Sequence, residues 1–204
     1  MSDGHTFTEL QDRETGKLGM WIFLFTELFL FGGLFLVYAV FRSTHSEDFH
    51  SAALELNSFI GTVNTVFLLI SSMTVAMAIT AIRKDQKQLA MFLVFITLVL
   101  AALFMVNKYF DWSHKFHYKL YPGSDVLKNL GHGELLFFGL YYMMTGLHAI
   151  HVLAGMVLLS INLVKIKRGL VNRNHYLLLE NSGLYWHLVD LIWIFLFPLL
   201  YLIT

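Results

Sequence analysis

Long apolar segments, separated by short polar links, dominate the chain. Five such segments follow one another, at residues 18–41, 59–82, 89–106, 135–164 and 176–203. Each is close to or above the roughly 20 residues that an α-helix needs to cross the hydrocarbon core of a bilayer. The pattern predicts an all-α integral membrane protein, one five-helix bundle that forms a single domain over residues 1–204.

The polar links suggest how the bundle is oriented. Residues 1–16 are expected to form a short mobile tail, residues 42–57 a polar link, and residues 107–133 a long interfacial loop. Nine Lys and Arg residues fall on the side of the N-terminus and five on the opposite side. Because cytoplasmic links carry the excess of positive charge, we expect the N-terminus inside and the C-terminus outside.

Composition agrees with this pattern and excludes several classes of protein. The chain is 57% hydrophobic and 14% charged, which is far less polar than a soluble domain of this size. Its net charge is zero, so nothing indicates a nucleic-acid partner. It contains no cysteine, which excludes disulfides and thiolate-held metal centres. The first apolar segment is too long for a signal-peptide core, so we expect it to be retained as a span.

Ionisable side chains at membrane depth are the candidate functional residues. Five lie well inside the predicted spans: Glu27, His148, His151, His187 and Asp190. Glu180 falls on the same helical stripe as His187. Glu27 lies about 15 Å from Lys17 along the first helix, near the bilayer midplane, where an ionised carboxylate is costly.

These residues allow more than one interpretation. His148, His151 and His187 suit a copper or haem site, since imidazole is a common ligand. They also suit contact with a lipid headgroup or with a transferred proton. We favour neutral histidines that bond to neighbouring helices and fix packing. Glu27 suits a proton relay, or a protonated acid that bonds to a histidine and helps define a lipid-filled cleft. Asp190 is expected to orient the His187 ring.

Uncharged polar side chains in the second span are also expected to join helices. Hydroxyl and amide groups buried in a bilayer find partners across helix interfaces because lipid offers none. The residues concerned are Asn64, Ser71, Ser72 and Thr74.

Three stretches resemble a known family in their order and spacing. They are Gly19–Glu27 (GMWIFLFTE), Thr145–Gly155 (TGLHAIHVLAG) and Tyr185–Trp193 (YWHLVDLIW). Together they resemble subunit III of the haem–copper oxidases, in its short five-helix bacterial form. The resemblance covers nearly the whole chain from Lys17 onward, and Glu180 ahead of the third stretch favours the cytochrome c type.

The resemblance implies a non-catalytic subunit of a proton-pumping respiratory oxidase in the bacterial inner membrane. It implies contact with the catalytic subunit I and with subunit II, and leaves open a respiratory supercomplex. Haem and copper are expected in those partner subunits and no cofactor in this chain, apart from bound phospholipid. Glu27, His148, His151, Glu180, His187 and Asp190 are implied to line the lipid cleft and to support proton uptake, with no catalytic and no metal-binding residue.

Three further interpretations stay open. Within the same family, the chain suits a quinol oxidase or an accessory subunit of nitric oxide reductase. From another class, it suits a stand-alone proton channel or transporter, although no internal repeat supports a repeat-built transporter. A dihaem-type cytochrome is the last alternative, for which an optical spectrum is the test.

Overall fold

The computed structural model describes residues 3–124, 127, 131–173 and 175–203, with side chains described from residue 14 onward. The regular elements in this described part are the α-helices α1 (Asp3–Thr44), α2 (Ser46–Leu54), α3 (Ser58–Arg83), α4 (Lys87–His117), α5 (His132–Lys167) and α6 (Leu177–Tyr201). Five of these helices, all but α2, are long and apolar enough to cross a membrane. The predicted all-α five-helix architecture is therefore confirmed, while its orientation stays a prediction.

The first polar link contains α2, a helix that the hydrophobic pattern did not predict. Phe49 and Ala52 are buried on one face of α2, and the opposite face is polar. The Phe49 ring packs edge-on against Tyr38 of α1 and Phe137 of α5, with ring centroids 5.4 Å apart in both pairs. The short helix therefore covers one end of the bundle where α1 and α5 meet.

Two helices extend beyond the boundaries predicted for their apolar segments. The residues expected as a mobile tail are helical from Asp3, so α1 continues without a break through its polar start. The third span was expected to end at Val106, whereas α4 continues to His117. Lys108 and Lys115 prompted that boundary, yet both are buried against the bundle in the last turns of α4. Charge in the sequence marked the end of the apolar segment, not the end of the helix.

Helix α6 is the centre of the bundle, and α1 is its most peripheral member. In their most apolar stretches, 56% of the residues of α6 are buried and 11% of those of α1. Glycines let neighbours approach α6 closely: a methyl group on Gly155 would lie 2.7 Å from the Trp186 ring. Small residues serve this purpose widely in membrane helices, where close van der Waals packing drives association.

Polar side chains of α3 join it to α4 and α6, as expected from the sequence. All four predicted residues form hydrogen bonds across helix interfaces, at 2.6 to 3.0 Å. The pairs are Asn64 with Asn107, Ser71 with Trp186, Ser72 with His187, and Thr74 with Thr97. These bonds fix the register of α3 against its neighbours in a setting where lipid offers no alternative partner.

Candidate functional site

Glu27 of α1 and His151 of α5 form a direct contact inside the membrane. Glu27 Oε2 lies 2.9 Å from His151 Nε2, and the two side chains are 15% and 12% exposed. The other ring nitrogen, His151 Nδ1, lies 2.8 Å from the carbonyl oxygen of Leu147. A carbonyl oxygen only accepts hydrogen bonds, so Nδ1 carries a proton and donates it to Leu147.

For the contact between Glu27 and His151 to be a hydrogen bond, a proton must lie between the two side chains. With Nδ1 protonated, the bond between Nε2 and Glu27 contains one further proton. That proton lies either on the carboxyl group, which gives two neutral side chains, or on the ring, which gives an ion pair. The pair has no net charge in either form. A neutral pair of this kind avoids much of the cost of an isolated carboxylate at membrane depth.

Polar contacts hold α1 to the bundle at three levels along its length. At the end where α6 begins, Lys17 Nζ lies 3.6 Å from Glu180. The contact between Glu27 and His151 forms the middle level. At the far end, the Tyr38 hydroxyl donates to the carbonyl oxygen of Leu199 at 2.6 Å. Helix α1 has fewer buried residues than the other spans, so its position depends more on these polar contacts.

A cavity opens between α1, α5 and α6, and we call it the α1 cavity. Its volume is about 540 Å³, and its walls are almost wholly apolar. Met20 and Phe23 contribute the α1 wall, and Tyr185 contributes part of the α6 wall. Phe23 precedes Glu27 by one helical turn, and the Tyr185 hydroxyl donates to the carbonyl oxygen of His151 at 3.1 Å. The cavity therefore ends close to the acid–histidine pair.

Glu180 lies near the same cavity, at the end of the bundle where α6 begins. Arg83 Nη2 of α3 donates to Glu180 Oε1 at 2.9 Å, and Lys17 approaches the second oxygen. The Glu180 side chain is 18% exposed, whereas the side chains of Lys17 and Arg83 are about half exposed. One carboxylate thus links α1, α3 and α6, while both cations keep contact with the surroundings.

His187 and Asp190 do not form the pair that their spacing suggested. The Ser72 hydroxyl contacts His187 Nδ1 at 2.6 Å, so a residue of α3 holds the ring. Asp190 is buried, and neither of its carboxyl oxygens has a hydrogen bond of good geometry to a described residue. The structure places Ser72 in the position that the sequence analysis assigned to Asp190.

His148 lies in an aromatic enclosure, apart from the acid–histidine pair. Its ring packs against Trp193, 5.2 Å between centroids, and edge-on against Phe104 at 5.7 Å. Both ring nitrogens are buried without a hydrogen-bond partner among the described residues. No three histidine or carboxylate side chains come together as a metal-binding group in the part of the chain that the structure describes.

Sequence reasoning missed a cluster of buried charges on the last turns of α4. Asp111 accepts from Lys108 at 3.4 Å and contacts Lys115, and each of the three residues is no more than 5% exposed. Tyrosines of two other helices complete the cluster. The Tyr141 hydroxyl donates to Asp111 at 2.6 Å, and Lys108 donates to the hydroxyls of Tyr141 and Tyr201, each at 2.9 Å.

The cluster could have been predicted from the spacing of its charges in the sequence. Positions 108, 111 and 115 share one helical face, and the charges along it alternate as positive, negative and positive. Such a pattern neutralises itself within a helix, so it does not require a loop. The three side chains carry two ammonium groups and one carboxylate, which leaves one unbalanced positive charge when all are ionised.

Five helices that are long and apolar enough to cross a membrane, together with a buried acid–histidine pair and an adjoining cavity, define an integral membrane protein. A family model described as cytochrome c oxidase subunit III matches residues 3–204. The chain therefore belongs to the cytochrome c oxidase subunit III family, as its three motifs suggested.

Individual relatives support the same assignment over nearly the full length. Cytochrome c oxidase subunit 3 of Thermostichus vulcanus is 32% identical over 188 residues, which cover 92% of this chain and 87% of the relative. Probable quinol oxidase subunit 3 of Staphylococcus epidermidis is 32% identical over 193 residues, covering 93% of this chain and 90% of the relative. The protein is thus subunit III of a haem–copper oxidase, of the cytochrome c or the quinol type.

A further relative connects the family with its neighbour subunit. In the protein named heme-copper oxidase subunit I+III of Aeropyrum pernix, 193 residues are 28% identical to this chain. They cover 92% of this chain and 22% of that longer relative. As a subunit of an oxidase complex, the chain associates with other oxidase subunits in a membrane.

Proposed function

We propose that this chain is a non-catalytic subunit that stabilises the catalytic subunit I of a respiratory oxidase in a bacterial inner membrane. In this proposal its N-terminus faces the cytoplasm, and subunit II and phospholipids are further partners. The oxygen chemistry belongs to haem and copper in the partner subunits. The observation that carries the proposal is the α1 cavity, which has apolar walls, cations at one end and the acid–histidine pair at the other.

The α1 cavity suits the acyl chain of a phospholipid. Its apolar walls favour hydrocarbon over water. The half-exposed ammonium of Lys17 and guanidinium of Arg83 lie at the same end of the bundle as Glu180, near the cavity residues Leu178 and Asn181. They provide positive charge for a headgroup phosphate. A lipid held there would fill the space between α1 and the rest of the bundle and keep α1 in place.

The acid–histidine pair suits the proton-linked part of the role. It is a buried site that holds one proton between two side chains without net charge. We propose that it lets α1 bury polar groups near the path of proton uptake without a fixed charge that would disturb the catalytic subunit. His148, His187 and Asp190 then contribute mainly to packing between α5, α6 and α3.

Replacement of Glu27 tests this role. In the purified oxidase, Glu27→Gln should preserve assembly, because the amide side chain keeps the shape and can still donate to His151. Glu27→Leu should loosen α1 and lower the amount of co-purifying phospholipid. Thr26→Ala is the matched control, since Thr26 lies at the same depth and bonds within its own helix, to the carbonyl oxygen of Phe23. Loss of the whole complex with Glu27→Gln would contradict the proposal.

For the electron donor we propose cytochrome c, with quinol as the alternative. The position of Glu180 ahead of the Tyr185–Trp193 motif favours cytochrome c. The relatives of the two types are equally similar to this chain, at 32% identity. Oxidation of reduced cytochrome c by the purified complex, and a copper-binding soluble domain on its subunit II, would support this proposal. Oxidation of quinol alone would refute it.

A further inference from the structure

A second cavity lies at the other end of the bundle, beside the buried charges of α4. We call it the α2–α4 cavity. It is lined by residues 54–57 and Ile60 on one side and by α4 residues between Phe110 and His117 on the other, and its volume is about 720 Å³. Two members of the charge cluster, Asp111 and Lys115, form part of its wall. The cavity therefore gives the surroundings access to an otherwise buried ion pair.

The cavity lies at the depth of lipid headgroups. Lys115 lies about 42 Å along α4 from Lys87, at the usual rise of about 1.5 Å per residue. The hydrocarbon core of a bilayer is about 30 Å thick, so Lys115 falls beyond it, in the polar interface. Leu54 and Phe110, which also line the cavity, are 71% and 62% exposed, and they offer apolar contact at its rim.

The charges around the cavity suit a phosphate group. Lys115 is 3% exposed, and Asp111 is its only hydrogen-bond acceptor within the part of the chain that the structure describes. Asp111 is shared with Lys108, so the cluster has one positive charge in excess when all three side chains are ionised. Exposed His114 and His117, one turn of α4 apart, add imidazole donors to the same wall. An anion in the cavity would balance the excess charge.

Among its described residues, the opposite wall carries a carboxylate and no cation. Glu55, which follows α2 directly as its C-cap residue, lines the cavity, so a purely anionic ligand would meet repulsion there. A ligand with a phosphate and an ammonium group satisfies both walls. Apolar residues at the rim favour a molecule with acyl chains over a free ion.

We propose that the α2–α4 cavity binds the headgroup of a zwitterionic aminophospholipid. The phosphate contacts Lys115 and the two histidines, and the ammonium group contacts Glu55. This site lies at the opposite end of the bundle from the α1 cavity. If the α2–α4 cavity did not bind lipid, the proposed role of the α1 cavity would be unchanged. If the α1 cavity did not bind lipid, the proposal for the α2–α4 cavity would also be unchanged.

Native mass spectrometry of the delipidated full chain tests the proposal. The probes are phosphatidylethanolamine and phosphatidylglycerol with identical acyl chains, with inorganic phosphate as a competitor. One charge-assisted contact to the ammonium group should make phosphatidylethanolamine bind about five- to tenfold more tightly than phosphatidylglycerol. Glu55→Gln should remove this preference, whereas the matched control Glu47→Gln, an exposed carboxylate of α2 outside the cavity, should keep it.

The histidines provide a second and independent measurement. The double variant His114→Ala and His117→Ala should weaken binding of both lipids several-fold, because both share the phosphate. His50→Ala, an exposed histidine of α2 outside the cavity, is the control. Equal binding of the two lipids by the unaltered chain, or equal behaviour of Glu55→Gln and Glu47→Gln, would overturn the proposal. Displacement of the lipid by millimolar inorganic phosphate would instead indicate a site for free anions.

Discussion

Replacement of Asp111 by Asn removes the carboxylate that balances the buried lysines of α4. The side chain keeps its shape, but the ammonium groups of Lys108 and Lys115 lose their counter-ion while both stay at 3% exposure. Removal of one partner from a buried ion pair costs about 3–5 kcal/mol, because the charge left behind is buried and unpaired. The hydroxyl of Tyr141 also loses its 2.6 Å bond to a charged acceptor.

The assay is thermal unfolding of the purified chain in detergent. By the relation between stability and melting temperature in domains of this size, a loss of about 3–5 kcal/mol lowers the midpoint by roughly 6–20 °C. The matched control is Asp85→Asn, the same chemical change at an exposed position where φ is 60°. Asn tolerates that left-handed conformation, so the control should change stability by no more than about 0.5 kcal/mol.

A double variant separates charge balance from simple loss of contacts. Lys108→Met in the Asp111→Asn background removes one of the two unpaired charges, so it should restore part of the lost stability. The same Lys108→Met change in the unaltered chain should also restore balance, since one ammonium and one carboxylate remain. If Asp111→Asn were no more harmful than Asp85→Asn, or if Lys108→Met made Asp111→Asn worse, the electrostatic reasoning would be refuted.

Two further predictions concern packing and orientation. Gly155→Ala should destabilise the bundle by about 1–3 kcal/mol in the same thermal assay, because its methyl group meets the buried Trp186 ring. Gly139→Ala, in the same helix with open space around it, should be neutral or stabilising, and equal effects would contradict this account. The chain has no cysteine, so Lys84→Cys and Ser113→Cys each provide a single site for a membrane-impermeant maleimide. In right-side-out vesicles Ser113→Cys should react and Lys84→Cys should not, and the opposite result would reverse the expected orientation.

Hydrophobic pattern alone was sufficient for the five spans, because the bilayer requires long apolar helices wherever the chain crosses it. It was insufficient for the end of α4. A lysine after an apolar segment, such as Lys108, predicts the end of the helix. Its burial depends on the hydroxyls of Tyr141 and Tyr201, which are distant along the chain. Helix α2 was missed for a related reason. Phe49 lies in a link that is polar on average, and the partners that bury it, Tyr38 and Phe137, lie on other helices.

In the candidate site, too, the sequence identified which residues need a partner but not always which residue supplies it. Intramembrane position identified Glu27 and His151 as residues that require a partner, and the contact between them agrees with one of the two interpretations of Glu27. The spacing of His187 and Asp190 suggested a pair within one helix, whereas His187 bonds to Ser72 of α3. Spacing along a helix reports a shared face, but it does not report which neighbouring helix supplies the closer group.

The burial of Lys108 and Lys115 also bears on how the chain enters the membrane. Both lysines were counted among the five positive residues on the predicted outer side. Their pairing with Asp111 is local, within two turns of one helix, so it is available while that helix is being inserted and before the bundle has assembled. One carboxylate balances one of the two lysines, so four unneutralised positive residues on that side oppose nine on the other side. The carboxylate that balances buried charge in the finished fold therefore also lowers the net charge of this helix end while the chain is being inserted.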